Sequence, residues 1–175
     1  MISESSYWKE PLLKSASWLS QVRISESTQE RTFIKIEKEL FMGFYSVRKL
    51  LETAKVSDAT KKEKYEVQWS PNTNPVNSLN RHEIDELYNL NVLNKETRDI
   101  GYICNLFIHS FIFLISSNGK LEGIYVTSDR IKNNIIYFIS IKNILAIFRH
   151  VGHDYPSSVS YVRNPDTKEF DIYVS

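Results

Sequence analysis

Apolar residues recur every three or four positions through Phe33, Ile36, Leu40, Phe44, Val47, Leu51 and Ala54. That stripe predicts an amphipathic helix of about seven turns, with Glu37, Lys38, Arg48, Lys49 and Glu52 falling largely off the buried face. Ser27 and Glu30 have the spacing of a capping box at its start, where hydroxyl and carboxylate each satisfy an orphan N–H. Upstream, Leu12, Leu13, Ala16, Leu19 and Val22 follow Pro11 at helical spacing, so a first helix is expected with Pro11 in its first turn and an end near Arg23. Ile100, Ile103, Cys104, Phe107, Phe111 and Leu114 form a second clean stripe. It predicts another long helix, capped by Asn94, that packs against the first stripe.

Between the two stripes the pattern breaks. Tyr65, Val67 and Trp69 alternate with polar residues like a short strand, residues 70–77 with Pro71 and Pro75 read as a loop, and Arg81 to Leu90 as a short helix. After Ser117 the period shortens. Asn118-Gly119 is a turn signal, and the flanking runs Phe111 to Ser116 and Leu121 to Thr127 pair as a hairpin if the preceding helix ends early. Ile135 to Ile139 reads as a strand, and Ser140 as the cap of a helix carrying Ile144, Leu145, Ile147 and Phe148. Val159 to Val162 and Phe170 to Val174 read as strands joined by the turn Asn164-Pro165-Asp166-Thr167-Lys168, in which Asp166 caps its own backbone. The expected architecture is α+β in a single domain over residues 1–175. An N-terminal helical bundle with two long amphipathic helices (1–115) packs on a small C-terminal antiparallel sheet carrying one helix (116–175).

A chain of 175 residues can hold a core without metals or disulfides. Its 22 Lys plus Arg against 21 Asp plus Glu leave a formal net charge of +1, so no global field steers it to nucleic acid or anionic lipid. The lone cysteine, Cys104, excludes an internal disulfide. The segment from Met1 to Glu10 lacks the apolar core of a secretory signal, and the apolar run Ile100 to Ile115 is shorter than the roughly 20 residues a bilayer requires. A cytoplasmic protein that does not enter the membrane is expected.

The five scattered glycines build neither a P-loop nor a dinucleotide fingerprint, one cysteine makes no zinc motif, and no serine sits in a nucleophile elbow. What remains is the predicted helix around Asn105. Arg98, Tyr102, Asn105 and His109 fall at i, i+4, i+7 and i+11 and share one face. A histidine beside an amide can serve as general acid or base or orient a phosphate. The simpler reading is a half-buried histidine bonded to a neighbouring carbonyl. His150, His153 and Asp154 lie close in sequence but offer no further metal ligands. Cys104 lies on or beside the apolar stripe, as a small buried hydrophobe would. Tyr125, Tyr137, Tyr161 and Tyr173 could stack bases, yet packing within the sheet accounts for them more simply.

The run Cys104-Asn105-Leu106-Phe107-Ile108-His109, set against Tyr45-Ser46-Val47-Arg48-Lys49-Leu50 on the other long helix, resembles the HEPN superfamily of helical ribonucleases and RNA-binding proteins. In that family an arginine, then often a polar residue, precedes a histidine by a few positions, and two subunits pair their motifs. Here Asn105 and His109 match, while Cys104 stands at the arginine position. A thiol cannot clamp a phosphate as a planar cation does. The resemblance therefore implies either that Arg48 or Arg98 supplies the charge, or that the fold serves binding. The favoured expectation is a non-catalytic interaction or regulatory module of an intracellular complex, in a bacterial defence or toxin-antitoxin setting. Its partner would be another protein or a second copy of itself. The alternative is an RNA-binding protein or metal-independent ribonuclease that uses His109, Asn105 and Arg48 or Arg98. Neither reading includes a cofactor or a metal.

Overall fold

The computed structural model describes residues 2–166 and 168–175. The fold is α+β. Helices α1 (Ser6–Gln21) and α2 (Glu30–Leu51) open the chain, followed by the single turn α3 (Asp58–Lys61), strand β1 (Lys64–Pro71) and the short α4 (Ile84–Leu87). Then come β2 (Asn94–Asp99), α5 (Ile100–Ile108), β3 (Ser110–Ser117), β4 (Leu121–Ser128), β5 (Ile135–Ser140) and α6 (Ile141–His153), with β6 (Val159–Arg163) and β7 (Phe170–Val174) at the end. Five strands form an antiparallel sheet in the order β2-β1-β5-β4-β3, and β6 and β7 pair as a separate hairpin.

The sheet is covered on both faces, and the period-2 alternation of its strands assigns each side chain to a face. Ile124 and Val126 of β4, and Tyr137 and Ile139 of β5, join the large core with Ile36, Leu40, Phe44 and Val47 of α2, Ile103 and Phe107 of α5, and Ile144, Ile147 and Phe148 of α6. Ile112 of β3 and Ile136 of β5 point the other way. They meet Val76, Ile84, Leu87 and Tyr88, so the loop after β1 and α4 close the outer face. One core thus joins helices and sheet, with Phe44 stacked on Phe107 at 4.0 Å and edge-on to Phe148 at 5.2 Å. Fully buried Lys9 donates to the carbonyls of Lys55 (2.6 Å) and Asp154, fastening α1 to the end of α6.

Several expected elements are corrected. The second long helix, from Asn94 to Leu114, does not form: Asn94 opens strand β2, whose polar residues pair with β1 at the sheet edge. The helix begins only at Ile100, capped by Asp99, whose carboxylate accepts the Tyr102 N–H at 2.7 Å. It ends at Ile108, because the run after it is apolar at every position from Phe111 to Ile115. A helix would leave part of that run in water, whereas a strand sets Ile112 in the outer core and packs Phe113 and Ile115 against the large one. The early end realises the hairpin reading, with β3 and β4 joined through Gly119 at φ 68°. β1 is the strand expected over Tyr65 to Trp69, and with β2, which replaces the start of the expected helix, it extends the sheet beyond the C-terminal third.

At α2 the expected capping box is absent. Gln29 occupies the cap position without a side-chain bond, and Ser27 Oγ lies 3.0 Å from Ser25 Oγ instead. Pro11 sits inside α1, on its exposed side, rather than in its first turn. The helix expected over Arg81 to Leu90 shrinks to Ile84–Leu87. Ser140 does cap α6, accepting the Asn143 N–H at 3.2 Å. In the turn between β6 and β7 the cap is Asn164, whose Oδ1 accepts the Asp166 N–H at 3.0 Å, and the Thr167 part of that expectation lies outside the described residues. Among the described residues no helix is long and apolar enough to cross a membrane.

Candidate functional site

Three elements converge on a groove of about 900 Å³. Arg48 enters from the last turn of α2, Tyr102, Asn105, Leu106 and His109 from α5 and its C-terminal cap, and Ser128, Asp129, Arg130 and Ile131 from the turn after β4. The packing of α2 on α5 sets the first contact: Arg48 Nη1 donates to Asn105 Oδ1 at 3.3 Å, while its Nε is held by Glu52 Oε1 at 2.9 Å. Lys49 Nζ shares that carboxylate at 3.1 Å, and the two cations lower the Glu52 pKa. His109 follows the last helical residue, its N–H donating to the Asn105 carbonyl at 3.0 Å. Both Asn105 and His109 are exposed, and the His109 ring has no hydrogen-bond partner among the described residues. The reading of His109 as a half-buried histidine bonded to a carbonyl is thereby corrected.

Arg98 is not part of this groove. It lies on β2, not on a helix face, where its Nε and Nη2 grip the Glu96 carboxylate at 2.8 and 3.0 Å. Its Nη2 also donates to the Tyr137 hydroxyl at 3.1 Å, and its guanidinium lies 4.3 Å from the Tyr102 ring centre. Tyr137 in turn donates to Glu96 and sits 3.0 Å from the Tyr102 hydroxyl. Burial raises the Tyr137 pKa well above that of a free phenol, with the Glu96 bond adding to the effect. Arg98 thus steadies Tyr102 from behind instead of facing a ligand. Cys104 points into the core with no exposed surface, and burial pushes its thiol up to about 12, opposed by the nearby Arg48 charge.

The groove residues absent from the sequence reading are Ser128, Asp129, Arg130 and Ile131. The β3–β4 ladder sets Ser110 opposite Ser128, which brings this turn beside His109. The Asn118-Gly119 hairpin signal points to this turn once α5 ends at Ile108, although two register shifts in the ladder set the final pairing. His150, His153 and Asp154 do not converge. The Nδ1 of His150 lies 2.8 Å from Glu63 Oε2 and 2.7 Å from the Tyr65 hydroxyl, while Asp154 Oδ2 accepts from both the N–H and the Oγ of Ser57 at 2.8 Å. Among the described residues no three His, Cys, Asp or Glu side chains group as a metal would need.

A second surface stands out at the C-terminal hairpin. Its register sets Val159 opposite Val174, Tyr161 opposite Ile172, and Arg163 opposite Phe170, so these six side chains share one face. Tyr161, Phe170 and Ile172 are 63%, 60% and 50% exposed, and Val162 and Tyr173 on the reverse face are also open. Val174 is the one buried residue of the two strands, its N–H donating to Asp58 Oδ2 at 3.0 Å. No family model, no curated protein and no solved structure matches this chain.

Proposed function

We propose that the chain is a non-catalytic interaction module that docks a protein partner through its β6–β7 hairpin. The observation that supports this reading is the apolar face of Val159, Tyr161, Phe170 and Ile172, which is left exposed among the described residues. A two-stranded ribbon is marginal in water by itself and gains little from burying only Val174. Contiguous exposed apolar surface on a soluble fold is characteristic of an interface, and rigid aromatic side chains such as Tyr161 and Phe170 bring large contact area at small entropic cost. Arg163 and Asp171 at the tip add the polar rim such interfaces carry.

The test uses the full chain, wild type and with Tyr161→Ser and Ile172→Ser combined, purified from the cells that make it and weighed by light scattering. The wild type is expected to run as a complex, with itself or with a second protein, and the double variant as a monomer with an unchanged circular dichroism spectrum. A His109→Ala chain should keep the complex. Equal masses for wild type and double variant would remove the hairpin from any interface.

A further inference from the structure

Beyond the hairpin, the groove between α2, α5 and the β4–β5 turn has a chemistry of its own. At about 900 Å³ it lies at the upper end of the range that small ligands fill. Its polar lining is unbalanced. Arg48 and Arg130 bring two guanidinium groups, Asn105 an amide, His109 an imidazole and Ser128 a hydroxyl, against the single carboxylate of Asp129. That carboxylate is already engaged by Lys132 Nζ at 2.7 Å. The Oδ1 of Asn105 is likewise taken by Arg48, which leaves the two amide N–H groups as donors without a partner among the described residues. Arg130 is exposed and enters no ion pair or hydrogen bond among the described residues, and the same holds for the Ser128 hydroxyl and the His109 ring.

Donors in surplus around one cavity invite a ligand with many acceptor oxygens and negative charge. A carboxylate offers two oxygens, while a phosphate group offers up to three terminal oxygens, enough to be shared between the open Arg130 fork, the Arg48 Nη2 left over from its bonds to Glu52 and Asn105, and an amide. Tyr102, Leu106 and Ile131 complete the wall with aromatic and aliphatic surface suited to the sugar or base that such a phosphate would carry. The site is also preformed. Phe44 and Phe107 lock α2 to α5, Glu52 holds Arg48 in place, and the turn is braced by the Ile131 and Lys132 N–H groups on the Ser128 carbonyl at 3.1 and 3.0 Å. We infer that this groove is a binding site for a phosphate-bearing ligand of nucleotide size, gripped by Arg48, Asn105, His109 and Arg130.

Three probes test it by calorimetry on the full chain: inorganic phosphate, adenosine 5′-monophosphate, and a short oligouridylate without terminal phosphates. Saturable binding of the nucleotide or of the oligomer is expected, with phosphate alone competing more weakly. Arg130→Ala should weaken binding about tenfold or more, as loss of a charge-assisted contact does, and Asn105→Ala should also weaken it. Arg149→Ala, exposed on α6 outside the groove, should leave binding unchanged. The His109 ring signals, assigned with His109→Gln, should shift on saturation in NMR spectra. Binding of the mononucleotide but not the oligomer would identify a free nucleotide as the source, and the reverse an internal phosphodiester of a strand. No saturable binding of any probe, or undiminished binding by Arg130→Ala that still folds by circular dichroism, would overturn the inference. Both results are independent of the hairpin, because none of the substituted residues lies on it.

Discussion

Helix α2 and the β6–β7 hairpin both carry an apolar stripe, and the fold treats the two in opposite ways. Ile36, Leu40, Phe44, Val47 and Leu50 of α2 are wholly buried, whereas Tyr161, Phe170 and Ile172 of the hairpin are at least half exposed. The difference lies in what surrounds them. α2 is ringed by α1, α5 and α6, which bring Leu12, Phe107 and Phe148 to its apolar face. The hairpin strands bury only Val174, whose N–H donates to the Asp58 carboxylate. A stripe becomes core only where neighbours complete it, and a stripe left open is available for binding.

The strongest way to break this contrast is to hollow out the centre of the body. Phe148 of α6 is fully buried and edge-on to Phe44, so Phe148→Ala should cost about 3–5 kcal/mol by lost transfer energy and a residual cavity. Urea unfolding followed by circular dichroism would measure it. A loss below about 1 kcal/mol, the range of surface substitutions and mild repacking, would mean the helices are not packed as described. Gly43→Ala approaches the same contact from the opposite side. A Cβ at Gly43 would press into the wholly buried Phe148 ring, so overpacking of about 1–3 kcal/mol is expected.

Much of this core was legible in the sequence, and the reason is local. The α2 stripe has a period of its own, as do β1, β5 and the cap and apolar face of α6, so each declared its element without reference to the rest. The stretch from Asn94 to Ile115 did not. Its apolar positions fit a 3.6-residue period by coincidence, while the true sequence of strand, helix and strand is imposed by pairing with β1 on one side and β4 on the other. β1 is remote along the chain, so no window over the segment contains it, whereas β4 follows directly through the Asn118-Gly119 turn and left the helix and hairpin readings both open. The site shared this fate. Asn105, His109 and Arg48 line one groove because α2 and α5 pack together. Arg98 was misplaced and Arg130 missed because both depend on where α5 begins and ends.

A gentler probe of the body is pH. Burial, aided for Tyr65 by Glu63 and for Tyr137 by the Glu96 bond, raises the folded-state pKa of Tyr65, Tyr88 and Tyr137 above the ordinary 10.0. A phenol that ionises at 10.0 when unfolded but later when folded contributes stability that is complete below about pH 10 and is lost as pH climbs toward the folded value, because the unfolded state sheds its proton first. The unfolding midpoint should therefore hold below about pH 10 and fall beyond it. Phenolate absorbance should show tyrosines that ionise only as the chain unfolds. A midpoint that stays flat through alkaline pH would mean these hydroxyls are solvated.

The smallest expected effect on stability sharpens the comparison most. Ile172→Ser removes an apolar side chain from the hairpin face, where half of the residue is already in water. It should change the free energy of unfolding of the isolated chain by no more than about 0.5 kcal/mol, the ordinary range for a surface site. The same substitution in α2, Leu40→Ser, would remove a wholly buried side chain and leave a hydroxyl in its place, costing several times as much. If the two positions differ in this way in the isolated chain, Ile172 contributes little to folding and its side chain is free for a partner. If Ile172→Ser instead destabilises the isolated chain as Leu40→Ser does, the hairpin is folded onto the body in solution and its apolar face is core after all.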